Sequence, residues 1–153
     1  MEAIGYWIPT EGTYKQKRRF VYILKHASRY AAYQNWNAFT IDREWERIID
    51  QPEFKGVLSE KPISVFMNAI EKSAMRPSER YALRIHTATP AERDAVEAKL
   101  LASNPLGLWR AFDRPESETT LIELTDAESE YRKMPGVSTE EIPLRALGFS
   151  LKP

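Results

Sequence analysis

The chain has 153 residues, and its 22 Lys and Arg residues balance its 22 Asp and Glu residues, giving a formal net charge of zero. This balance argues against a dedicated binder of nucleic acid or of an anionic membrane, because such partners select a basic excess. The chain has no Cys, which excludes disulfides, thiol nucleophiles and thiolate ligands, and its two His residues lack spaced partners for a metal site. No apolar run approaches the roughly 20 residues of a spanning helix, so we expect no membrane span and a cytoplasmic location.

Two strands are predicted near the start of the chain, and a third near its middle. Residues 4–8 form the first strand, and turn-forming residues follow it. Residues 19–26 are rich in β-branched and aromatic side chains on both alternating faces. This predicts a central strand that is covered on both sides and paired antiparallel with the first. Residues 62–69 alternate only in part, and they fit a strand with a Pro at its start.

Helical periodicity follows the second strand. Ser28 is a good N-cap residue, and the side chains of Trp36 and Phe39 follow it at helical spacing, so we expect them in the core. A second periodic piece begins after Asp42, which can cap it. The two pieces form either one bent helix or two consecutive helices, and they end before Pro52.

The second half of the chain opens with a strand over residues 81–86, where the alternation is clean. A strong helix start follows it, because Thr89 is an N-cap residue, Pro90 takes the first helical position and Glu92 lies three residues after the cap. This helix is expected to run to about Ser103. Three further strands are predicted near residues 107–113, 119–125 and 144–151.

The two halves share one pattern, in which a strand ends in His and is followed by a hydroxyl-bearing cap residue and a helix. The pattern occurs at His26 and Ser28, and again at His86 and Thr89. Strand-helix-strand units with mainly antiparallel neighbours indicate the α+β class. The arrangement predicts ferredoxin-like units whose helices cover one face of the sheet.

One segment goes beyond the fold class. It contains, in order, the strand Val21–Lys25, His26-Ala27-Ser28-Arg29, Trp36-Asn37-Ala38-Phe39 and Asp42-Arg43-Glu44-Trp45. This series resembles the NIPSNAP family, and the resemblance covers about residues 4–70. Residues 81–100 also resemble that family's opening strand and helix, through Tyr81-x-Leu83-Arg84.

The resemblance implies a dimeric α+β barrel, in which two ferredoxin-like sheets face each other around a cavity. We assign residues 1–76 to a NIPSNAP-like ferredoxin-fold unit that lacks the family's usual first strand and helix. Residues 77–153 form a second, divergent ferredoxin-like unit, packed with the first as one globular domain. Either the two units build a pseudo-dimeric barrel within one chain, or two chains build the barrel as a homodimer.

His26 and His86 are the candidate catalytic residues. His26 ends a strand and precedes a helix, so it is either a base at the mouth of a barrel or a residue that hydrogen-bonds the loop. His86 shares a strand face with Arg84, which would let Arg84 bind an anionic group while His86 moves a proton. The alternative for this pair is a solvated or ion-paired sheet face.

Aromatic side chains on strands supply candidate ligand contacts. Tyr22, Tyr81 and Trp109 join Arg84 as the residues expected to bind a small apolar or aromatic ligand. No segment matches a Walker loop, a dinucleotide fingerprint, a nucleophile elbow or a paired-His metal helix, so no cofactor and no metal are expected.

The leading hypothesis is a NIPSNAP-like barrel protein that binds a small, largely apolar molecule, with no nucleic-acid partner. The resemblance implies the barrel, whereas the aromatic residues and the Arg84 and His86 pair motivate the ligand. An alternative is a cofactor-independent monooxygenase, isomerase or cyclase that uses a His base, by analogy with related barrels. A third hypothesis is a noncatalytic protein-interaction module whose interior is filled by side chains.

Overall fold

The structure is a computed structural model that describes residues 2–12, 19–52, 63–71, 78, 80–113, 119–130 and 133–147. These residues form an α+β fold with one seven-stranded sheet and three helices, which confirms the predicted class. The strands are β1 (Glu2–Pro9), β2 (Val21–Lys25), β3 (Met67–Glu71), β4 (Tyr81–Ala88), β5 (Gly107–Ala111), β6 (Thr119–Asp126) and β7 (Ser138–Ala146). The helices are α1 (Arg29–Thr40), α2 (Arg43–Ile49) and α3 (Arg93–Ala102).

The chain divides into two compact units. The first comprises Met1–Ile4 and Ile23–Ser64, and the second comprises Gly5–Tyr22 and Val65–Pro153. The first unit therefore holds α1 and α2, whereas the second holds α3 and strands β3 to β7. Strands β1 and β2 contribute residues to both units.

The strands lie in the order β2-β1-β7-β4-β6-β5-β3. The five neighbouring pairs β1–β7, β7–β4, β4–β6, β6–β5 and β5–β3 are all antiparallel. The central strand is therefore β4. The prediction of a central strand over residues 19–26 is wrong, because β2 lies at an edge of the sheet, although it neighbours β1 as expected.

The apolar side chains of residues 19–26 make contacts between aromatic rings, and they are not buried on both faces of the sheet. Phe20 and Tyr22 pack on Tyr6 of β1, with ring centroids 5.7 and 6.4 Å away, and on each other at 5.6 Å. Most side chains of β2 are only half-buried. The three rings shield one another beside a strand that has a single neighbour among the described residues.

One face of the sheet in the second unit is covered by α3. Val96 and Leu100 of this helix cluster with Ala88, Leu108 and Leu121, which come from three different strands. The two helical residues lie four apart, which places them on one face of α3. The helix thus buries its apolar stripe against the sheet, as the ferredoxin-like expectation requires of a crossover helix.

The start of α3 lies later than predicted. The helix begins at Arg93, because residues 90–92 form a turn in which the Glu92 N–H donates to the Thr89 carbonyl at 3.1 Å. The Glu92 carboxylate accepts hydrogen bonds from the Thr89 N–H at 3.2 Å and from its hydroxyl at 2.8 Å. The pair identified from the sequence therefore forms, but it closes a turn that precedes the helix.

The opposite face carries two buried Trp residues that each lie over a Gly. Trp7 covers Gly5 on β1, and Trp109 covers Gly107 on β5. A Cβ atom at either Gly would overlap the neighbouring indole ring. Glycine at these two positions therefore leaves room for a flat ring against the strand.

In the first unit, two consecutive helices follow β2, which decides between the two predicted alternatives. The Ser28 hydroxyl accepts a hydrogen bond from the Ala31 N–H at 3.0 Å, and the Asp42 carboxylate accepts one from the Glu44 N–H at 2.8 Å. Both predicted N-caps are thus confirmed, because each satisfies a backbone N–H that has no partner within its helix.

The aromatic residues of these helices contact one another. The Phe39 ring lies 5.7 Å from the Trp36 ring and 4.6 Å from the Trp45 ring of α2. All three residues are half-buried rather than fully buried. Trp36 and Phe39 were expected in the core. Instead they contribute to a contact between two consecutive helices, and part of each ring stays exposed.

Two strands are displaced from their predicted ranges. β3 spans Met67–Glu71 rather than residues 62–69, of which Pro62 lies outside the described residues. β7 spans Ser138–Ala146 rather than residues 144–151, of which 148–151 lie outside the described part. The polar start of β7 forms a strand because it pairs with β4. That pairing places Thr139 and Glu141 opposite His86 and Arg84.

Candidate functional site

Charged and polar side chains meet on the face of the sheet that α3 covers. Arg84 on β4 lies opposite Glu123 of β6 and opposite Glu141 of β7. His86, two residues further along β4, lies opposite Thr139 of β7. Side chains opposite each other on neighbouring strands share a face, so these five residues form one group, called the charge cluster below.

Arg84 is buried and hydrogen-bonded to groups of the protein. Its Nε donates to a carboxylate oxygen of Glu141 at 2.6 Å, and its Nη2 donates to the Ser129 carbonyl at 2.6 Å. Its Nη1 lies 3.6 Å from a carboxylate oxygen of Glu123. These contacts correspond to the ion-paired alternative, and an anionic ligand at Arg84 would have to displace them.

His86 is fully buried and is hydrogen-bonded through both ring nitrogens. Its Nε2 lies 3.2 Å from Oε2 of Glu123, and its Nδ1 lies 2.9 Å from the hydroxyl oxygen of Thr139. An ionised carboxylate can only accept hydrogen bonds, so we assign the proton to Nε2. Nδ1 of the neutral ring then accepts a hydrogen bond from the Thr139 hydroxyl.

Glu123 is the carboxylate about which the charge cluster is arranged. Burial raises the pKa of Glu123, but the hydrogen bond from His86, the positive charge of Arg84, the charge of a protonated His86 and the hydrogen bond from Ser103 together lower it more, so the pKa lies below its ordinary value. The Ser103 hydroxyl at the end of α3 lies 3.2 Å from Oε1 of Glu123. Glu123 is therefore ionised at neutral pH although only 2% of it is exposed.

The charge cluster carries one negative charge when the imidazole is neutral. Arg84 supplies one positive charge, whereas Glu123 and Glu141 supply two negative charges. A proton placed on His86 would bring the total to zero. An imidazolium at this position would lie beside the negative charge of Glu123.

The predicted ligand residues Tyr81 and Trp109 lie on the opposite face of the sheet from Arg84 and His86. The register of β4, β6 and β5 places them there, on the same face as Trp7 of β1. The Trp7 and Tyr81 rings meet edge to face, with centroids 5.9 Å apart. The structure thus separates the predicted site into an aromatic face and the charge cluster.

A groove of about 1000 Å³ runs along the start of β4 and the end of β7. Trp7 is adjacent to it, because Trp7 contacts Tyr81 and pairs with Ala146 across the strands, and both of these residues line the groove. The apolar part of the lining consists of Tyr81, Ala82, Ala127, Pro143, Leu144, Ala146 and Leu147.

Trp7 carries an unsatisfied polar group beside this groove. The residue is fully buried, and its indole Nε1 finds no hydrogen-bond acceptor among the described residues. A buried indole N–H normally has a partner, and leaving one unpaired costs free energy. The N–H of Trp7 is therefore a buried donor that an additional acceptor would satisfy.

His26 and Tyr22 lie apart from these groups in the sheet. His26 belongs to the first unit, where its Nδ1 lies 3.2 Å from the side-chain nitrogen of Asn35 on α1. The amide donates to the ring, which corresponds to the structural alternative for this residue. Tyr22 belongs to the ring group with Tyr6 and Phe20, where burial and then the neighbouring Tyr6 raise its pKa.

Three residues of the charge cluster were not identified from the sequence, namely Glu123, Glu141 and Thr139. Glu123 gave a local signal, because it is the only charged residue in the apolar run 119–125. Thr139 gave none, since its role depends on the pairing of β7 with β4 over a long stretch of chain. The unsatisfied N–H of Trp7 is recognised only from the absence of an acceptor near its nitrogen.

Metal coordination finds no support in the described part of the chain, where no three His, Asp or Glu residues are grouped so as to hold an ion. Among the same residues, no helix is long and apolar enough to cross a membrane. Comparison with protein-family models, with curated proteins and with solved structures finds no match to this chain.

Proposed function

We propose that this chain is a NIPSNAP-like α+β barrel protein that binds a small, largely apolar molecule carrying a hydrogen-bond acceptor. The observation that supports the proposal is the buried Trp7 N–H, which has no acceptor among the described residues. An unsatisfied buried donor costs about 1–3 kcal/mol. A ligand that supplies the acceptor recovers this free energy when it binds.

The groove gives such a molecule a place to bind. Its volume of about 1000 Å³ is at the upper end of the range for small-molecule sites. Its apolar lining includes Tyr81 and Leu144, which are buried and lie on the same face of the sheet as Trp7. A ligand that lies against Tyr81 and Ala146 would present its acceptor on the side of Trp7, while its apolar body covers the groove.

The test is the exchange Trp7→Phe, which keeps an aromatic ring but removes the N–H. The purified chain is first analysed by native mass spectrometry for a retained small molecule, and is then titrated with quinols, aromatic polyketides and hydrophobic acids. We expect at least one of these compounds to bind, and Trp7→Phe to weaken its binding by about tenfold, the value of one hydrogen bond.

Trp36→Phe on α1 is the matched control, because it makes the same chemical change in a half-buried residue of the first unit. Binding that falls equally in both variants would contradict a hydrogen bond from Trp7. A chain that binds none of the three compound classes would overturn the proposal and favour the noncatalytic interaction module.

The strand order supports the barrel part of the proposal. Within the second unit, α3 connects β4 to β5, and the strands lie in the order β7-β4-β6-β5. Counted from β4, this places the fourth strand beside the first, followed by the third and the second, which is the order of a ferredoxin-like sheet. We therefore propose a ferredoxin-like unit for these four strands and α3, with the difference that no helix joins β6 to β7 among the described residues.

The barrel would be completed by a second copy of the chain. Among the described strands, β2 and β3 each have a single neighbour, so the sheet does not close on itself. A homodimer supplies a second sheet, as the family resemblance implies.

A further inference from the structure

We infer that the Thr139 hydroxyl is a nucleophilic site that takes an acyl group from an activated ester, with His86 as its base. The inference does not use the Trp7 N–H, because Thr139 and Trp7 lie on opposite faces of the sheet, although Glu141 of the charge cluster also lines the groove. It begins with the hydrogen bond between the Thr139 hydroxyl and Nδ1 of His86, whose length of 2.9 Å lies within the range for a nucleophile and its base.

Glu123 orients the base. It accepts the Nε2–H of His86 at 3.2 Å, which fixes the tautomer and turns the lone pair of Nδ1 toward Thr139. Arg84 and Ser103 hold Glu123 in turn. A nucleophile, a base and a group that orients the base are thus aligned in the order that hydroxyl nucleophiles require.

The charge of the cluster favours the proton transfer. As the hydroxyl attacks, its proton passes to Nδ1 and forms an imidazolium. The imidazolium lies beside the negative charge of Glu123, which stabilises it, while the negative charge of the attacking oxygen passes to the acyl oxygen as the new bond forms. Stabilisation of a charge that develops in the transition state accelerates the step.

Accessibility distinguishes Thr139 from its partners. His86 and Glu123 are at most 2% exposed, whereas Thr139 is half-buried and its neighbours Ser138 and Glu140 are exposed. Of the three aligned residues, Thr139 is therefore the one with surface open to a solute. The chain has no Cys, so a nucleophile next to this imidazole would be a hydroxyl rather than a thiol.

The step balances without a further reactant. The Thr139 oxygen forms a bond to the acyl carbon, and the ester C–O bond breaks with its electron pair leaving on the alcohol or phenol oxygen. The hydroxyl proton moves to His86 and then to the leaving oxygen. Water attacks the acyl-Thr139 ester by the same route, which releases the acid and restores the hydroxyl.

The test uses the full chain and p-nitrophenyl acetate at neutral pH. Absorbance follows the release of p-nitrophenolate, and peptide mass spectrometry locates the acetyl group. We expect acetylation of Thr139, slower in D₂O because a proton moves in the step. Thr139→Ser should retain acetylation and Thr139→Val should abolish it, and His86→Gln should slow it by about 100-fold or more.

Ser138→Ala is the matched control, because Ser138 is an exposed hydroxyl on the next residue of β7 and faces away from the imidazole. Its acetylation kinetics should equal those of the unaltered chain. Two results overturn the inference: acetyl groups found elsewhere but not on Thr139, or acetylation of Thr139 that proceeds at the same rate in D₂O and water. The second readout needs no substitution in the buried cluster.

Discussion

A single carboxylate, Glu123, connects the buried groups on the α3-covered face. It lies between Leu121 and Thr125 in a strand that is otherwise almost wholly buried, and it accepts hydrogen bonds from His86 and Ser103. Removing one partner of a buried ion pair is costly, because the other charge then lacks compensation. The stability of this part of the sheet therefore depends on the ionisation of Glu123.

Acidification should weaken the protein through Glu123. Because the folded-state pKa lies below the ordinary value of 4.5, its contribution to the free energy of unfolding is fully present above that value and is lost as pH falls through the lower pKa. The groups that face Glu123 are Arg84 and His86 from β4, with Glu141 of β7 behind Arg84.

The matched variant for this prediction is Glu123→Gln, which has the same shape without the charge. We expect it to cost about 3 kcal/mol at neutral pH. Urea denaturation from neutral pH down to below 4.5 should show the gap between the two proteins closing as the native carboxyl takes up its proton. A gap that is constant across this range would contradict the role of the ionised Glu123.

Ser28 determines where α1 begins. Its hydroxyl accepts the Ala31 N–H at 3.0 Å, and no acidic residue in the first turn of α1 assists it. Of the residues of α1, Ala32 alone is fully buried, so packing contributes little to holding the helix in place. The N-cap should therefore contribute a large share of the local stability of this helix.

Ser28→Ala should destabilise α1 by about 1 kcal/mol. Hydrogen exchange of the α1 amides should become faster, while the amides of β4 and β6 keep their protection. Ser28→Asp is the matched control, because its carboxylate can cap the same N–H. Equal acceleration in β4 and β6 would show instead that Ser28 acts on global stability.

Local chemistry explains which elements could be predicted from the sequence. Ser28 and Asp42 act on amides two or three residues away, so their helices were located correctly. β7 was displaced because its first half is polar, and Thr139 and Glu141 become strand residues only through partners on β4, more than fifty positions earlier. Periodicity within one segment carries no information about such partners.

The position of β2 could not be predicted for a related reason. Apolar side chains on both alternating faces indicate burial on both sides of a strand. Here the rings of Phe20 and Tyr22 contact Tyr6, but each ring is only partly covered and the rest of it stays exposed. Of the predicted site residues, Arg84 and His86 were correctly placed on one face. That this face holds Glu123 and Glu141 follows only from the strand order.

The open edges of the seven-stranded sheet lead to a prediction about assembly. β2 and β3 end the order of described strands, and an edge strand offers unpaired backbone groups to another chain. Sedimentation velocity should therefore show a species with the mass of two chains, which dissociates on dilution. A single chain at every concentration would contradict the two-chain barrel and favour the pseudo-dimer.

A charge beside β2 should weaken this association if the second copy meets that edge. Phe20 precedes β2 and is 50% exposed, so Phe20→Lys introduces a charge there. Ile63→Lys is the matched control, since Ile63 is 83% exposed and lies outside the strands. We expect the first variant, and not the second, to shift the sedimenting species toward the single chain.

The central position of β4 has a consequence for biosynthesis. Its two neighbours, β6 and β7, are the last strands of the described chain to leave the ribosome. Until they emerge, Arg84 and His86 lack the carboxylates that compensate them, and the apolar face of β4 has no cover. The nascent chain therefore exposes both edges of β4 until these strands are made, and its yield in cells should depend on chaperones that hold β4 until residue 146 has been made.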